Sequence, residues 1–289
     1  MRILRFLAAI FFLNTFAYGA DVAILDSANT KHFFALHYAA CSPPTSFTLG
    51  ADEYQRYFRG WEFVLQTNGI SYHIISDDDV IHGALENYKL LILSNTASLS
   101  DAEDKIIDHW VRSGHSLLAT FGSGYKDVVS DPHQLDGLKL QNGGTAGLHQ
   151  LWHDPLSKLF TTLLFTPGVD VRITQYSGPT AGLRGMLPNN TLPYGAAANL
   201  LIQRPPTFGD AYGFLNLGTA NYTKPAPAIL VTKDAHGGVI YFAFAPEYIV
   251  SKEFDLPAAL PCPDGQNWAG RSTELRILMR DSVLYLLEH

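Results

Sequence analysis

A strand, a helix and a second strand follow one another between Lys89 and Asp127, an order typical of α/β proteins with a parallel sheet. The first strand is the apolar run Lys89 to Leu93, and the second is His115 to Thr120, which opens into a glycine-rich turn. Between the strands, Ser100 is the expected N-cap of a helix, because three acidic residues follow it in the first turn. The segment therefore predicts an α/β fold.

Polar side chains and glycines follow several of the predicted strands along the chain. In open α/β sheets, ligands bind at the C-terminal ends of the strands, so these residues are the candidates for a binding pocket. The predicted pocket residues are Asp26, Ser27, Asn95, Gly122, Ser123, Tyr125 and Glu247.

The N-terminal residues 1–20 have the features of a cleaved secretory signal peptide. Arg2 and Arg5 precede the apolar run Phe6 to Leu13, and small residues stand where a signal peptidase cuts. The alternative is a membrane anchor, but the run is shorter than the roughly 20 residues that span a bilayer. We expect a secreted or periplasmic protein with no membrane segment after cleavage. Residues 21–289 would then form one domain, since 47% of the 289 residues are hydrophobic.

The remaining segments predict further elements of this domain. They are a strand at 21–25, a long loop at 28–50, a helix at 52–68, a strand at 70–75, an irregular insertion at about 128–225, a β-hairpin at 228–243 and a terminal helix at 271–288. Within the insertion, strands such as Val169 to Gln175 and Ala198 to Gln203 are expected, broken by proline and glycine. The acidic run Asp77 to Asp79 is interpreted as a helix cap rather than a metal site, because successive side chains of an extended segment point apart.

The formal net charge of -7 argues against nucleic acid as a partner, and no basic run is present. Cys41 and Cys262 are the only cysteines. Both lie in proline-containing loops, so we expect a disulfide in an oxidising compartment, with two free buried thiols as the alternative. Two cysteines without clustered histidines do not make a zinc motif. No metal and no cofactor is predicted.

Three segments taken in order resemble one family. Residues 57–80, 87–127 and 227–248, with the terminal helix, resemble the class I glutamine amidotransferase-like superfamily. Within it, they are most similar to the domain called the beta-galactosidase trimerisation domain of glycoside hydrolases. The resemblance implies a flavodoxin-like, mostly parallel sheet with helices on both faces. It also implies a carbohydrate-related role, with a carbohydrate ligand or a glycoside hydrolase as partner.

Catalytic members of that superfamily use a cysteine at the turn after the strand matching Leu117 to Thr120, and a late Phe-His-Pro-Glu motif. In this chain, the turn is Phe121-Gly122-Ser123-Gly124 and contains no cysteine. The late motif is Phe244-Ala245-Pro246-Glu247, which keeps the glutamate but replaces the histidine with alanine. A nucleophilic cysteine needs such a base, so amidotransferase chemistry is not expected.

The sequence therefore predicts an exported, non-catalytic amidotransferase-like module with a carbohydrate-related binding or assembly role. The alternative is a secreted hydrolase acting on glycosides or esters, with Ser123 or Glu247 as its candidate catalytic residues. A base for Ser123 would have to come from a histidine elsewhere, such as His32, His37 or His236, while Glu247 could pair with Asp26 or Asp127.

Overall fold

The computed structural model describes residues 19–37, 51–124, 126–127, 160–203, 209–217, 226–232, 238–256 and 267–289. Residues 1–18 of the predicted signal peptide, Tyr125 and both cysteines of the predicted disulfide lie outside these ranges.

Within these ranges, nine strands form one mixed sheet, and helices cover both of its faces. The strands are β1 (Val22–Leu25), β2 (Tyr72–Ile75), β3 (Leu90–Ser94), β5 (Ser116–Thr120), β7 (Phe160–Ile173), β8 (Thr191–Gln203), β9 (Gly209–Asn216), β10 (Pro227–Thr232) and β11 (Val239–Phe242). Two short strands, β4 (Ser98–Leu99) and β6 (Lys126–Asp127), pair separately. The helices are α1 (Ala28–His37), α2 (Ala51–Thr67), α3 (Asp77–Ile81), α4 (Asp101–Arg112), α5 (Pro246–Glu253) and α6 (Thr273–Glu288).

The strand order is β2-β1-β3-β5-β11-β10-β9-β7-β8. The first five strands are parallel, and β10, β9, β7 and β8 continue the sheet with antiparallel pairing. The predicted α/β fold with a parallel core and a late hairpin, β10 and β11, is therefore confirmed. Strands β2 and β3 follow β1 along the chain but lie on opposite sides of it. The order thus reverses between β1 and β3, which is the switch point where ligands bind in such sheets.

Alternate residues of β1 show how the two faces of the sheet are filled. Val22 and Ile24 belong to the core cluster that includes residues of α2, α5 and α6. Ala23 and Leu25 belong to the cluster on the other face, with residues of α1, α3 and α4. All four side chains are fully buried, as expected for a central parallel strand whose successive side chains point to opposite faces.

Capping boxes begin two of the helices, α3 and α4. The side chains of Ser76 and Ser100 accept hydrogen bonds from the backbone N–H groups of Asp79 and Glu103, whose carboxylates accept from the serine N–H groups in return. The predicted N-cap at Ser100 and the interpretation of the acidic run as a cap are both confirmed.

Two predicted irregular segments contain regular structure. The predicted loop at 28–50 begins with helix α1, and Phe33 and Phe34 of this helix are buried in the core. In the predicted insertion, the strands expected at 169–175 and 198–203 overlap the longer strands β7 and β8, and β7, β8 and β9 extend the sheet with register shifts in their ladders. The irregular part is thus narrower than predicted, because bulged strands still pair.

Candidate functional site

The side chain of Glu247 joins the ends of two central strands. Glu247 follows Pro246 in the first turn of α5, and α5 is the element that comes after β11 along the chain. Its Oε1 accepts a short hydrogen bond from the hydroxyl of Thr120, the last residue of β5. The same atom accepts a bond of 3.2 Å from the hydroxyl of Ser94, the last residue of β3. The glutamate left by the degenerate motif is therefore a junction between three chain segments.

Burial makes Glu247 an unusual acid. The side chain is fully buried, and this raises its pKa to about 8, although the bonds from Thr120 and Ser94 act in the opposite direction. Within the described residues, Oε2 is buried without a hydrogen-bond partner. The carboxyl group is therefore mostly protonated at neutral pH.

Gly60 brings helix α2 against the start of α5. A Cβ atom at position 60 would lie 2.0 Å from the backbone oxygen of Glu247, so no side chain fits there. Gly60 was not among the predicted site residues. The sequence signal that could have identified Gly60 is its position inside an amphipathic helix. A glycine there lowers helix stability, so it usually has a packing reason.

The turn after β5 is strained and fully enclosed. Phe121 has a φ of 21° and is buried, which is an uncommon conformation for a bulky residue. Gly122 follows with a φ of 74°, and its N–H donates to Oδ1 of Asn199 at 3.0 Å. The hydroxyl of Tyr241 donates to the same oxygen at 2.8 Å. Asn199 comes from β8, and neither Asn199 nor Tyr241 was a predicted site residue.

Ser123 is a structural serine in this turn. Its side chain is fully buried, and Oγ accepts from the N–H of Thr96 at 3.1 Å. Oγ also lies 2.6 Å from the carbonyl oxygen of Thr120 and 2.9 Å from that of Leu93, to which it donates. Among the described residues, no histidine bonds to it. These bonds connect the end of β3 to the turn after β5. Within the described ranges, they include no base that would activate Ser123 as a nucleophile.

Asn95 occupies the end of β3 with a φ of 45°. Its N–H donates to the hydroxyl of Thr120 at 3.1 Å, which connects it to the Glu247 junction. Its Nδ2 is buried, and no described group accepts from it. Asn95, Gly122, Ser123 and Glu247 of the predicted pocket thus lie together.

Asp26 and Ser27 lie beyond β1, on the other side of the switch point. Oδ2 of Asp26 pairs with Nζ of Lys31 at 2.6 Å, and the Asp26 side chain is 30% exposed. Ser27 is buried, and its Oγ accepts from the N–H of Thr30 at 3.0 Å. Asp26 is therefore the solvent-accessible member of the predicted pocket residues that the structure describes, whereas the Glu247 junction is enclosed.

The described part of the chain has neither a metal site nor a membrane-spanning helix. It contains no group of three or more His, Cys, Asp or Glu side chains that could hold a metal ion. No helix within it is long and apolar enough to cross a bilayer.

Comparisons with known proteins find a similar fold in solved structures. No protein-family model matches the chain, and no curated protein matches it. Solved structures do match. The beta-galactosidase from Bacillus circulans sp. alkalophilus aligns with a TM-score of 0.56 at 16% identity, covering 86% of this chain and 33% of that one. The beta-galactosidase from Rahnella sp. R3 aligns with a TM-score of 0.53 at 20% identity, covering 85% and 33%.

A ThuA-like protein from Bacteroides uniformis matches over nearly its whole length. It aligns with a TM-score of 0.52 at 12% identity, covering 93% of this chain and 91% of that one. The chain spans about a third of the length of the two galactosidases, as 33% of each is covered. At these identities the likeness shows a shared fold. It supports the resemblance inferred from the sequence at the level of fold.

Proposed function

We propose that this chain is an exported, non-catalytic amidotransferase-like module with a carbohydrate-related binding or assembly role. The main support is the bonding of Glu247. In catalytic relatives the corresponding glutamate accompanies a histidine, whereas here position 245 is alanine and the carboxyl group bonds Thr120 and Ser94. A buried, mostly neutral glutamate held by two hydroxyl groups connects the ends of two strands and has no base to orient.

The hydrolase alternative has less support from the same geometry. Ser123 is enclosed, and its hydroxyl is used within the β3–β5 connection. Glu247 is fully buried, while a glycosidase needs two carboxyl groups that flank an accessible bond.

A carbohydrate ligand is proposed from the neighbours and from the chemistry of the switch point. Two of the structures with this fold are beta-galactosidases, which act on galactosides. Asp26 and Lys31 offer a carboxylate and an ammonium group at an accessible strand end, and such groups bond the hydroxyls of a sugar. A glycoside hydrolase is the proposed protein partner, and the net charge of -7 disfavours nucleic acid.

Binding can be measured by NMR titration of the purified chain with galactose, lactose and glucose. We expect shifts at residues around Asp26, and weaker binding in Asp26→Asn, which keeps the shape but removes the charge. Asp21→Asn is the matched control, because Asp21 lies just before the other end of β1 and pairs with Lys89 at 3.1 Å. Equal loss in both variants, or no shift with any sugar, would contradict the proposed pocket.

The absence of catalysis needs a separate assay. Ammonia release from glutamine and hydrolysis of nitrophenyl glycosides and esters should stay at background, and Ser123→Ala and Glu247→Gln should leave sugar affinity nearly unchanged. Turnover that disappears in either variant while the fold persists would make the protein a hydrolase.

Export is tested by mass spectrometry of the protein made with its full N-terminus. We expect a mature chain that begins near residue 21, with Cys41 and Cys262 joined. An intact N-terminus, or full reaction of both cysteines with a thiol label in the native protein, would contradict this part of the proposal.

A further inference from the structure

Helices α1 and α4 begin beside the short helix α3, close to the switch point. Asn29, in the first turn of α1, links the other two helices. Its backbone N–H donates to Oδ2 of Asp77 at 2.9 Å, and its Nδ2 donates to Oε2 of Glu103 at 3.0 Å. Ser100 also donates to this Oε2, from its N–H at 2.7 Å and its hydroxyl at 2.6 Å. Oε2 of Glu103 therefore accepts three hydrogen bonds, and Oδ2 of Asp77 accepts one.

The other oxygen of each carboxyl group has none. Oε1 of Glu103 and Oδ1 of Asp77 are both buried, and neither receives a hydrogen bond from a described donor. Glu103 is only 1% exposed, and Asn29 donates both to its carboxyl group and to that of Asp77, so the two acids lie next to the same residue. Because carboxylate oxygens only accept, a proton held by the pair would supply the donor that both oxygens lack. The unpartnered buried oxygens thus point to a bound proton.

We propose that Asp77 and Glu103 form a proton-operated clasp, in which one shared proton keeps helix α1 closed over the C-terminal ends of β1 and β3. Loss of that proton places two negative charges side by side below Asn29 and releases the start of α1. The clasp itself follows from these contacts, while its role in ligand access rests on the proposed function.

The charges around the pair are consistent with this role. Burial and the charge of Asp77, opposed by the bonds from Ser100, together raise the pKa of Glu103 to about 7. The nearby Asp26 carboxylate is paired with Lys31. From α2, the buried Tyr54 faces the same edge, and burial with the charges of Asp26 and Asp77 raises its pKa, so it stays neutral. From α4, Asp104 is buried next to Glu103.

Opening α1 would uncover the polar lining of the switch point. The hydroxyl of Thr30 donates to the carbonyl oxygen of Ser98 at 3.2 Å, and the Ser98 N–H donates back at 3.1 Å. Phe33 and Phe34 are buried in the core beneath α1. Packing therefore also holds helix α1 in place. Its release is a local opening equilibrium, in which α1 closes again and does not stay detached.

Hydrogen exchange of the whole purified chain tests the clasp. Protection factors, corrected for the intrinsic pH dependence of exchange, are measured for amides of α1 and for reference amides in the core of α6. Since the closed state keeps a proton that the open state releases, α1 protection relative to α6 should fall about tenfold per pH unit between roughly pH 5 and pH 7. Above roughly pH 7.5 it should be constant, because both states have then lost the proton.

Variants separate the clasp from a merely structural bond. Glu103→Gln supplies a permanent amide donor to Asp77 and should abolish the pH dependence, as should Asp77→Asn if the first variant fails to fold. Asp101→Asn, at an exposed residue of the same helical turn, should keep it. A ratio independent of pH in the unmodified chain, or an unchanged slope in a folded clasp variant, overturns the proposal. No sugar is involved, so the result is separate from that of the binding test.

Discussion

Glu247→Gln should stabilise this protein at neutral pH and reduce the pH dependence of its stability. The glutamine keeps an oxygen that accepts from Thr120 and Ser94, but it does not titrate. In the native protein, the pKa of Glu247 is raised from 4.5 to about 8, so the folded state holds a proton that the unfolded chain releases. The contribution of the native glutamate is therefore fully present below about pH 4.5 and declines as pH rises through about 8.

The size of the effect follows from the shift. Each pH unit in that window removes about 1.4 kcal/mol, so the deficit of the native protein is about 3 kcal/mol at pH 7 and about 5 kcal/mol above pH 8. Urea unfolding of both proteins between about pH 5 and pH 8 gives the difference in the free energy of unfolding directly. Taking this difference removes titrations that the two proteins share, including that of Glu103.

A matched control is Glu86→Gln, which makes the same change on an exposed residue. It should alter the free energy of unfolding by less than about 0.5 kcal/mol. If the difference between Glu247→Gln and the native protein stays constant over the whole pH range, the carboxyl group is ionised in the folded state and the reasoning is wrong.

Three other substitutions have expected outcomes in urea unfolding. Asp79→Asn should have the opposite pH dependence, because bonds from Ser76 lower the pKa of Asp79, so its deficit should be present at neutral pH and shrink below about pH 4. Gly60→Ala should destabilise by about 1–3 kcal/mol or more, because its Cβ would collide with the backbone of Glu247; a neutral result would mean that α2 and α5 separate easily. Asn199→Ala should cost about 1–3 kcal/mol, because it leaves the buried Tyr241 hydroxyl without its acceptor while the Gly122 N–H keeps its bond to that hydroxyl, and a loss below about 1 kcal/mol would show that water replaces the amide.

The parallel half of the sheet could be predicted because local signals and tertiary structure agree there. The apolar runs of β3 and β5 are bounded by polar or glycine residues, and Ser100 caps the helix between them. Their predicted bounds differ from the observed ones by one residue at both ends of β3 and at the first residue of β5. The polar residues at the strand ends also indicated the correct edge of the sheet, where Asn95 and Glu247 both bond the hydroxyl of Thr120.

The antiparallel half was harder to predict because its strands break the alternating pattern. Pro167 and Gly168 lie inside β7, and Pro193 and Gly195 lie inside β8, at places where turn residues normally end a strand. The register shifts between these strands accommodate them. Helix α1 was missed for a related reason, since no acidic residue marks its first turn and contacts from distant segments hold its start.

The partners within the site could not be predicted, because they come from distant parts of the chain. Asn199 bonds the turn after β5 across 77 positions, and Thr120 bonds Glu247 across 127. Nothing local to either residue indicates such a contact. The sequence has no counterpart of the cysteine and histidine used by catalytic members of the superfamily it resembles, but it could not show which groups the Glu247 side chain bonds.

The features that oppose stability are concentrated at one edge of the sheet. Asn95 and Phe121 both have left-handed backbone at the ends of adjacent strands, and Glu247 and Glu103 are buried acids whose raised pKa values weaken the fold as pH rises. A core optimised for stability alone would place an apolar residue at each of these buried carboxyl positions, since buried charge-bearing groups are often replaced by apolar ones without loss. Glu103 lies in the first turn of α4, beside the C-terminal ends of β1 and β3, where open α/β sheets bind ligands, which argues that its carboxyl group serves the proposed clasp rather than the core. If an apolar residue of similar volume at position 103 stabilises the protein and leaves the pH response of α1 intact, this edge of the sheet has no function that requires the acid.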